Sequence, residues 1–201
     1  MKKIFLIISA LIVLAGLLWF LTHSKSETII QTQGVTGDVT PPKGVYKSSL
    51  FGFEITPAPG FTVNESYLNQ DFGPGREIPG IAFIIPELFS KGTNLSADSY
   101  IAVEKLSDVD CEPASFIDSP QAAEDIVVDG ISFKKASVSD AGAGNRYDQT
   151  VFVTENDGAC IAVREFVHTT QIANYDPGTV KEYDRAGLSA LFETMLKSLR
   201  L

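Results

Sequence analysis

Nineteen uncharged residues, Ile4 to Thr22, follow Lys2 and Lys3. About twenty apolar residues rising 1.5 Å each cross the hydrocarbon core of a bilayer as a helix. The pattern therefore predicts a transmembrane signal-anchor over residues 1–22. Lys2 and Lys3 hold its start in the cytoplasm, and Trp19 and Phe20 suit the outer interface. A cleaved leader that releases a secreted protein is the alternative. It fits less well, because the apolar stretch exceeds the roughly 7–15 residues of a secretory signal. Thr22-His23-Ser24 is also a poor cleavage site, and Leu17 stands where a lipoprotein would carry cysteine. Either way the rest of the chain is extracytoplasmic, tethered to the cell membrane in the first reading and secreted in the second.

Residues 23–44 are polar and rich in Thr, Gly and Pro, as a spacer is. A globular domain is expected over 45–201, and its pattern is mostly strand. Leu50 to Ile55 and Phe61 to Val63 read as strands, Gln70 to Gly80 as a loop, and Ile81 to Ile85 as a strand covered on both faces. Tyr100 to Leu106 is a further strand, and Pro113 to Ile117 a short helical turn. Ile126-Val127-Val128, Asp129-Gly130 and Ile131-Ser132-Phe133 predict a tight hairpin, because Asp-Gly supplies the positive φ of a type I′ turn. A second hairpin turns at Asp157-Gly158. A two-residue turn there sets Tyr147 opposite His168, Gln149 opposite Phe166, Val151 opposite Arg164 and Val153 opposite Ala162. Last, Val180, Tyr183, Leu188, Leu191, Phe192, Met195 and Leu199 recur at helical spacing. They predict an amphipathic helix that starts at Asp176-Pro177-Gly178-Thr179 and lies across the sheet.

Charge and cysteine narrow the picture. Beyond residue 26 the chain holds 13 basic and 25 acidic residues, a formal net charge of −12. Such a domain repels nucleic acid and anionic head groups, and no nucleic-acid partner is expected. Cys111 and Cys160 permit one disulfide in an oxidising compartment, the alternative being two buried thiols. Two cysteines without a CxxC pair and two histidines do not fill a zinc shell. No metal and no cofactor is expected.

The opening Phe51-Gly52-Phe53, the Asp-Gly hairpin, the stretch SDAGAGNRYDQ (139–149) and the run from Cys160 to Leu199 resemble PsbP-like domains. That run ends in Phe192-x-x-Met195-Leu196-x-Ser198-Leu199. The resemblance spans roughly residues 46–201 and is nearest to membrane-anchored bacterial PsbP-related proteins. It implies an α+β fold, an α/β/α sandwich with a central antiparallel sheet and a C-terminal amphipathic helix. It also implies a protein-binding module rather than an enzyme. In the plant member that module is an extrinsic photosystem subunit, and the residues that serve such partners have no match here.

Catalytic signatures are absent: no GxSxG, HExxH, GxxxxGK[ST] or SxxK. His168 is the domain's one histidine, and a hydrolase built on it is the least favoured function. The hairpin register instead gathers two loops at one end of the sheet, 140–146 and 169–176. They bring Asp140, Asn145, Arg146, Tyr147, His168, Asn174, Tyr175 and Asp176 together, a mixture suited to recognition. In a purely structural role, Arg146 pairs with Asp176 and Tyr175 pins the start of the helix. The favoured function is a membrane-tethered, non-enzymatic module for an envelope protein or polymer. A small-ligand or cation sensor is the alternative.

Overall fold

A computed structural model describes residues 44–201. The expected membrane helix, and the spacer up to residue 43, lie outside the described residues. No helix among the described residues is long and apolar enough to cross a membrane.

Among the described residues, ten strands and two α-helices follow in order: β1 (Tyr46–Ser48), β2 (Phe53–Ile55), β3 (Thr62–Asn64), β4 (Leu68–Asn69), β5 (Ile78–Ile84), α1 (Glu87–Ser90), β6 (Tyr100–Ser107), β7 (Glu124–Val128), β8 (Ile131–Gly142), β9 (Asn145–Asn156), β10 (Ala159–Thr170) and α2 (Arg185–Lys197). β1 and β2 pair with each other. The main sheet runs β3-β5-β6-β10-β9-β8-β7, with β4 added beside β5. Every neighbouring pair is antiparallel. The class is α+β.

Both predicted hairpins form in the expected register. Val128 pairs with Ile131, and Tyr147 with His168. Their turns, Asp129-Gly130 and Asp157-Gly158, put both central residues at positive φ, as type I′ requires. The expected loop from Asp140 to Arg146 is shorter than its glycines suggest. β8 runs to Gly142 and β9 begins at Asn145, which leaves only Ala143-Gly144 to turn. Outside contacts hold that turn: Gln171 N and Asn174 Nδ2 both donate to Gly144 O, at 2.8 and 3.2 Å.

Three other expectations are corrected. The opening strand starts at Phe53, because Gly52 takes φ +74° and donates to Ser48 O, turning the chain there. β5 starts at Ile78, inside the expected loop, because Asn69 and Leu68 pair with Ile78 and Pro79. α2 starts at Arg185, not near Asp176. Lys181 is extended instead, donating to Gly92 O and accepting from Asn94 N. Asp184 then caps the helix, its Oδ1 accepting from Gly187 N at 2.9 Å.

Strand alternation assigns two cores. One face packs Phe83, Val103, Phe152 and Val163 beneath Leu188, Phe192, Met195 and Leu196 of α2. The other face packs Ile78, Val151, Val153 and Ala162 beneath Phe116 and Ile117. Of the expected sandwich, the described residues thus contain the sheet and the C-terminal helical layer. The second face is covered by an irregular segment with one 3-10 turn, Pro113–Ser115. A disulfide between Cys111 and Cys160, Cα atoms 5.2 Å apart, pins that segment to β10.

Candidate functional site

The second face becomes polar and aromatic toward the Tyr147–His168 end of the β9–β10 hairpin. Residues that continue the core's face along each strand now carry chemistry. Tyr147 and Gln149 on β9, and Arg164, Phe166 and His168 on β10, share the face of Val151 and Ala162. Tyr100 and Glu104 of β6 join them from the other side of β10.

A row of rings crosses this face. Tyr67 meets Tyr100 at 5.2 Å between centroids, Tyr100 stacks on Phe166 at 4.9 Å, and Phe166 on Tyr147 at 6.2 Å. Tyr147 then lies against the His168 ring at 4.5 Å. His168 Nδ1 meets the Asp98 carboxylate at 2.9 and 3.0 Å, and Nε2 meets Asn145 Oδ1 at 3.1 Å. Both ring nitrogens are thus engaged, and neither bonds to a hydroxyl that could act as a nucleophile.

Under the row lies a buried ion pair. Arg164 and Glu104 are both fully buried. The guanidinium bonds both carboxylate oxygens, at 2.6 and 3.0 Å, the bidentate geometry that makes such pairs strong. Arg164 also donates to Gln149 Oε1 and Phe116 O. Tyr67 donates to Glu104 Oε1 at 2.7 Å, so Tyr100, 2.9 Å away, donates to Tyr67. Among the described residues no buried side-chain polar atom lacks a partner. Burial, reinforced by Glu104, pushes the Tyr67 hydroxyl well above its ordinary value. Burial works against the Arg164 charge, but the Glu104 carboxylate outweighs it and holds the guanidinium protonated.

A cleft of about 590 Å³ opens beside this row of rings. Tyr147, Phe166 and Gln149 line it, and Asp71, Asp118 and Asp140 supply carboxylates. Among the described residues, no lysine or arginine lines it. No group of three or more His, Cys, Asp or Glu among the described residues could hold a metal ion.

The expected residues divide. Asn145, Tyr147 and His168 meet on the second face, and Asp140 pairs with Tyr147 across β8 and β9. Arg146 belongs to the opposite face, because it alternates with Tyr147 along β9. It pairs with Asp148, at 2.9 Å from Nη2, and not with Asp176. Asn174 holds the Gly144 turn. Tyr175 bonds Thr170 Oγ1 at 2.6 Å rather than pinning the helix. Asp176 offers its carbonyl to Thr179 Oγ1. Sequence reasoning missed Tyr67, Asp71, Asp98, Tyr100, Glu104, Asp118 and Arg164. One signal was present: Glu104 directly follows the apolar Ile101-Ala102-Val103 and Arg164 the apolar Cys160 to Val163, and the hairpin register already set Arg164 opposite Val151.

A second groove, of about 550 Å³, separates α2 from β7–β9 on the helix face, with Glu165, Ser137, Thr150 and Ser189 in its lining. Burial pushes the Glu165 carboxyl up to about 7; Lys135 opposes this and Glu193 reinforces it. Lys135 is itself paired with Glu124, and Lys197 on α2 with Glu193. A carboxyl raised in the folded state stabilises it fully only below its ordinary 4.5 and loses that contribution as pH rises through about 7. Glu165→Gln is therefore expected to match the parent near pH 4. At pH 8 it should be more stable by up to about 3 kcal/mol. Urea unfolding across that range checks this, and a pH-independent difference would refute it.

No protein-family model matches this chain, and no curated protein matches it.

Proposed function

We propose that residues 45–201 are the extracytoplasmic, non-enzymatic binding module of a single-pass membrane protein, which uses the aromatic cleft to dock an envelope protein or polymer. The carrying observation is the cleft beside Tyr147 and Phe166, backed by a fully hydrogen-bonded network. A surface whose groups are already held in place loses little freedom on binding, which favours affinity. The N-terminal apolar run supports the tether, and the PsbP-like resemblance, with the three-layer sandwich it implies, supports a binding role. Asn145 Oδ1 at His168 Nε2, the nitrogen that would face a nucleophile while Asp98 holds Nδ1, supports this reading over a hydrolase.

The test is in-cell photocrosslinking of the full chain. A crosslinking residue at position 140 is expected to trap one recurrent envelope component. The same residue at position 189, on the helix face, should trap nothing recurrent. Equal capture from both positions, or none from 140, would overturn the cleft as the docking site.

A further inference from the structure

We infer that the cleft takes the side chains of a basic peptide segment, lysine or arginine, from an extracytoplasmic partner; this rests on the cleft being the docking site. Three observations converge. The first is charge. Asp71, Asp118 and Asp140 face the cleft, while the nearby Arg164 has its charge matched by Glu104. Asp71 lies 3.7 Å from Arg164 and accepts from Gln149, so it is partly satisfied. Among the described residues, Asp118 and Asp140 have no cationic partner. The cleft is therefore complementary to positive charge, within a domain that is itself strongly acidic.

The second is the arrangement of the rings. Phe166 lies between Tyr100 and Tyr147, and Tyr147 between Phe166 and His168, with interplanar angles of 19°, 29° and 30°. Neighbours occupy the ring faces, so the row offers its edges and not an open flat platform. A sugar ring needs such a platform. A lysine or arginine stem does not: its methylenes lie along apolar edges while the charged head reaches a carboxylate. The third is the spacing of the carboxylates. They come from three separate elements, the β4–β5 loop, the turn after Pro113–Ser115 and β8, and they do not converge as metal ligands do. Carboxylates spread around a cleft of about 590 Å³ suit several cationic heads on one strand of peptide better than one small ion.

The probes are tetra-arginine and tetra-lysine peptides, titrated calorimetrically against the full chain in detergent micelles. Tetra-glutamate and chitotetraose serve as controls. An acidic protein attracts polycations everywhere, so the variant design separates the cleft from the general field. Asp118→Asn with Asp140→Asn removes two charges at the cleft. Glu155→Gln with Asp157→Asn removes two at the opposite end of the β9–β10 hairpin. The first pair is expected to weaken tetra-arginine binding about ten-fold, the second less than about two-fold. Circular dichroism confirms that both variants fold. Equal losses in the two variants, no basic-peptide binding, or tighter binding of chitotetraose would overturn the basic-segment inference. If that happens while position 140 still crosslinks its envelope component, the docking site stands and only the chemistry of its partner falls. If position 140 captures nothing, the docking site itself falls.

Discussion

Glu104→Ala will destabilise the domain by about 3–5 kcal/mol, the cost of leaving a buried guanidinium without its counter-charge. Arg164 would keep only neutral hydrogen-bond partners, the Gln149 amide and the Phe116 carbonyl, and a 3.7 Å approach to Asp71. Tyr67 would also lose the acceptor of its 2.7 Å hydrogen bond. Urea unfolding is the measurement, with the midpoint falling and the slope unchanged. The double variant Glu104→Leu with Arg164→Met should recover most of the loss. Removing both charges abolishes the desolvation penalty together with the attraction. A single-variant cost below about 1 kcal/mol would mean the guanidinium finds water or another anion, and the pair would not be sealed from solvent as its burial indicates. The double variant has a further use. If it folds but binds basic peptide poorly, the ion pair shapes the cleft floor as well as stabilising it.

Breaking the Cys111–Cys160 bond is expected to cost about 4 kcal/mol. The two cysteines are 49 residues apart, and cross-linking a loop of that size removes about this much free energy from the unfolded chain. Cys111→Ala with Cys160→Ala, compared with the oxidised parent in urea, checks it. The bond also fastens the segment that leads to Phe116, the Arg164 acceptor, and to Asp118 at the cleft. Its loss should therefore weaken basic-peptide binding too, even in conditions where the variant is fully folded. Identical midpoints for the two proteins would show that the segment is held by Lys134–Glu112, Arg164–Phe116 and packing alone. Oxidation of the pair agrees with the extracytoplasmic location proposed above, because disulfides persist in oxidising compartments.

Both predictions concern the same strip of protein, part of which carries no local signal in the sequence. His168 and Tyr147 were found because a two-residue turn relates them by simple counting. Arg146 falls in with them on the sequence alone because its stretch reads as a glycine-rich loop. Once β9 is seen to begin at Asn145, alternation sends Arg146 to the far face. Asp98, Tyr67 and Asp118 come from distant segments whose approach no local pattern announces.

What the sequence alone determined is what short-range physics controls. Asp129-Gly130 and Asp157-Gly158 dictate tight turns, and a tight turn dictates the register of both hairpins. The spacing of Leu188, Phe192 and Met195 dictates the buried stripe of α2. Tertiary structure alone decided the rest. The helix starts at Arg185 because Gly92 and Asn94 claim the backbone of Lys181. Ala143-Gly144 is a two-residue turn because Gln171 and Asn174 brace it. Arg164 finds Glu104, sixty residues away in sequence, because β10 lies between β9 and β6. Local propensity acts over a few residues, whereas strand order is set by which apolar faces bury one another. The charged partners inside that order are therefore chosen by the fold.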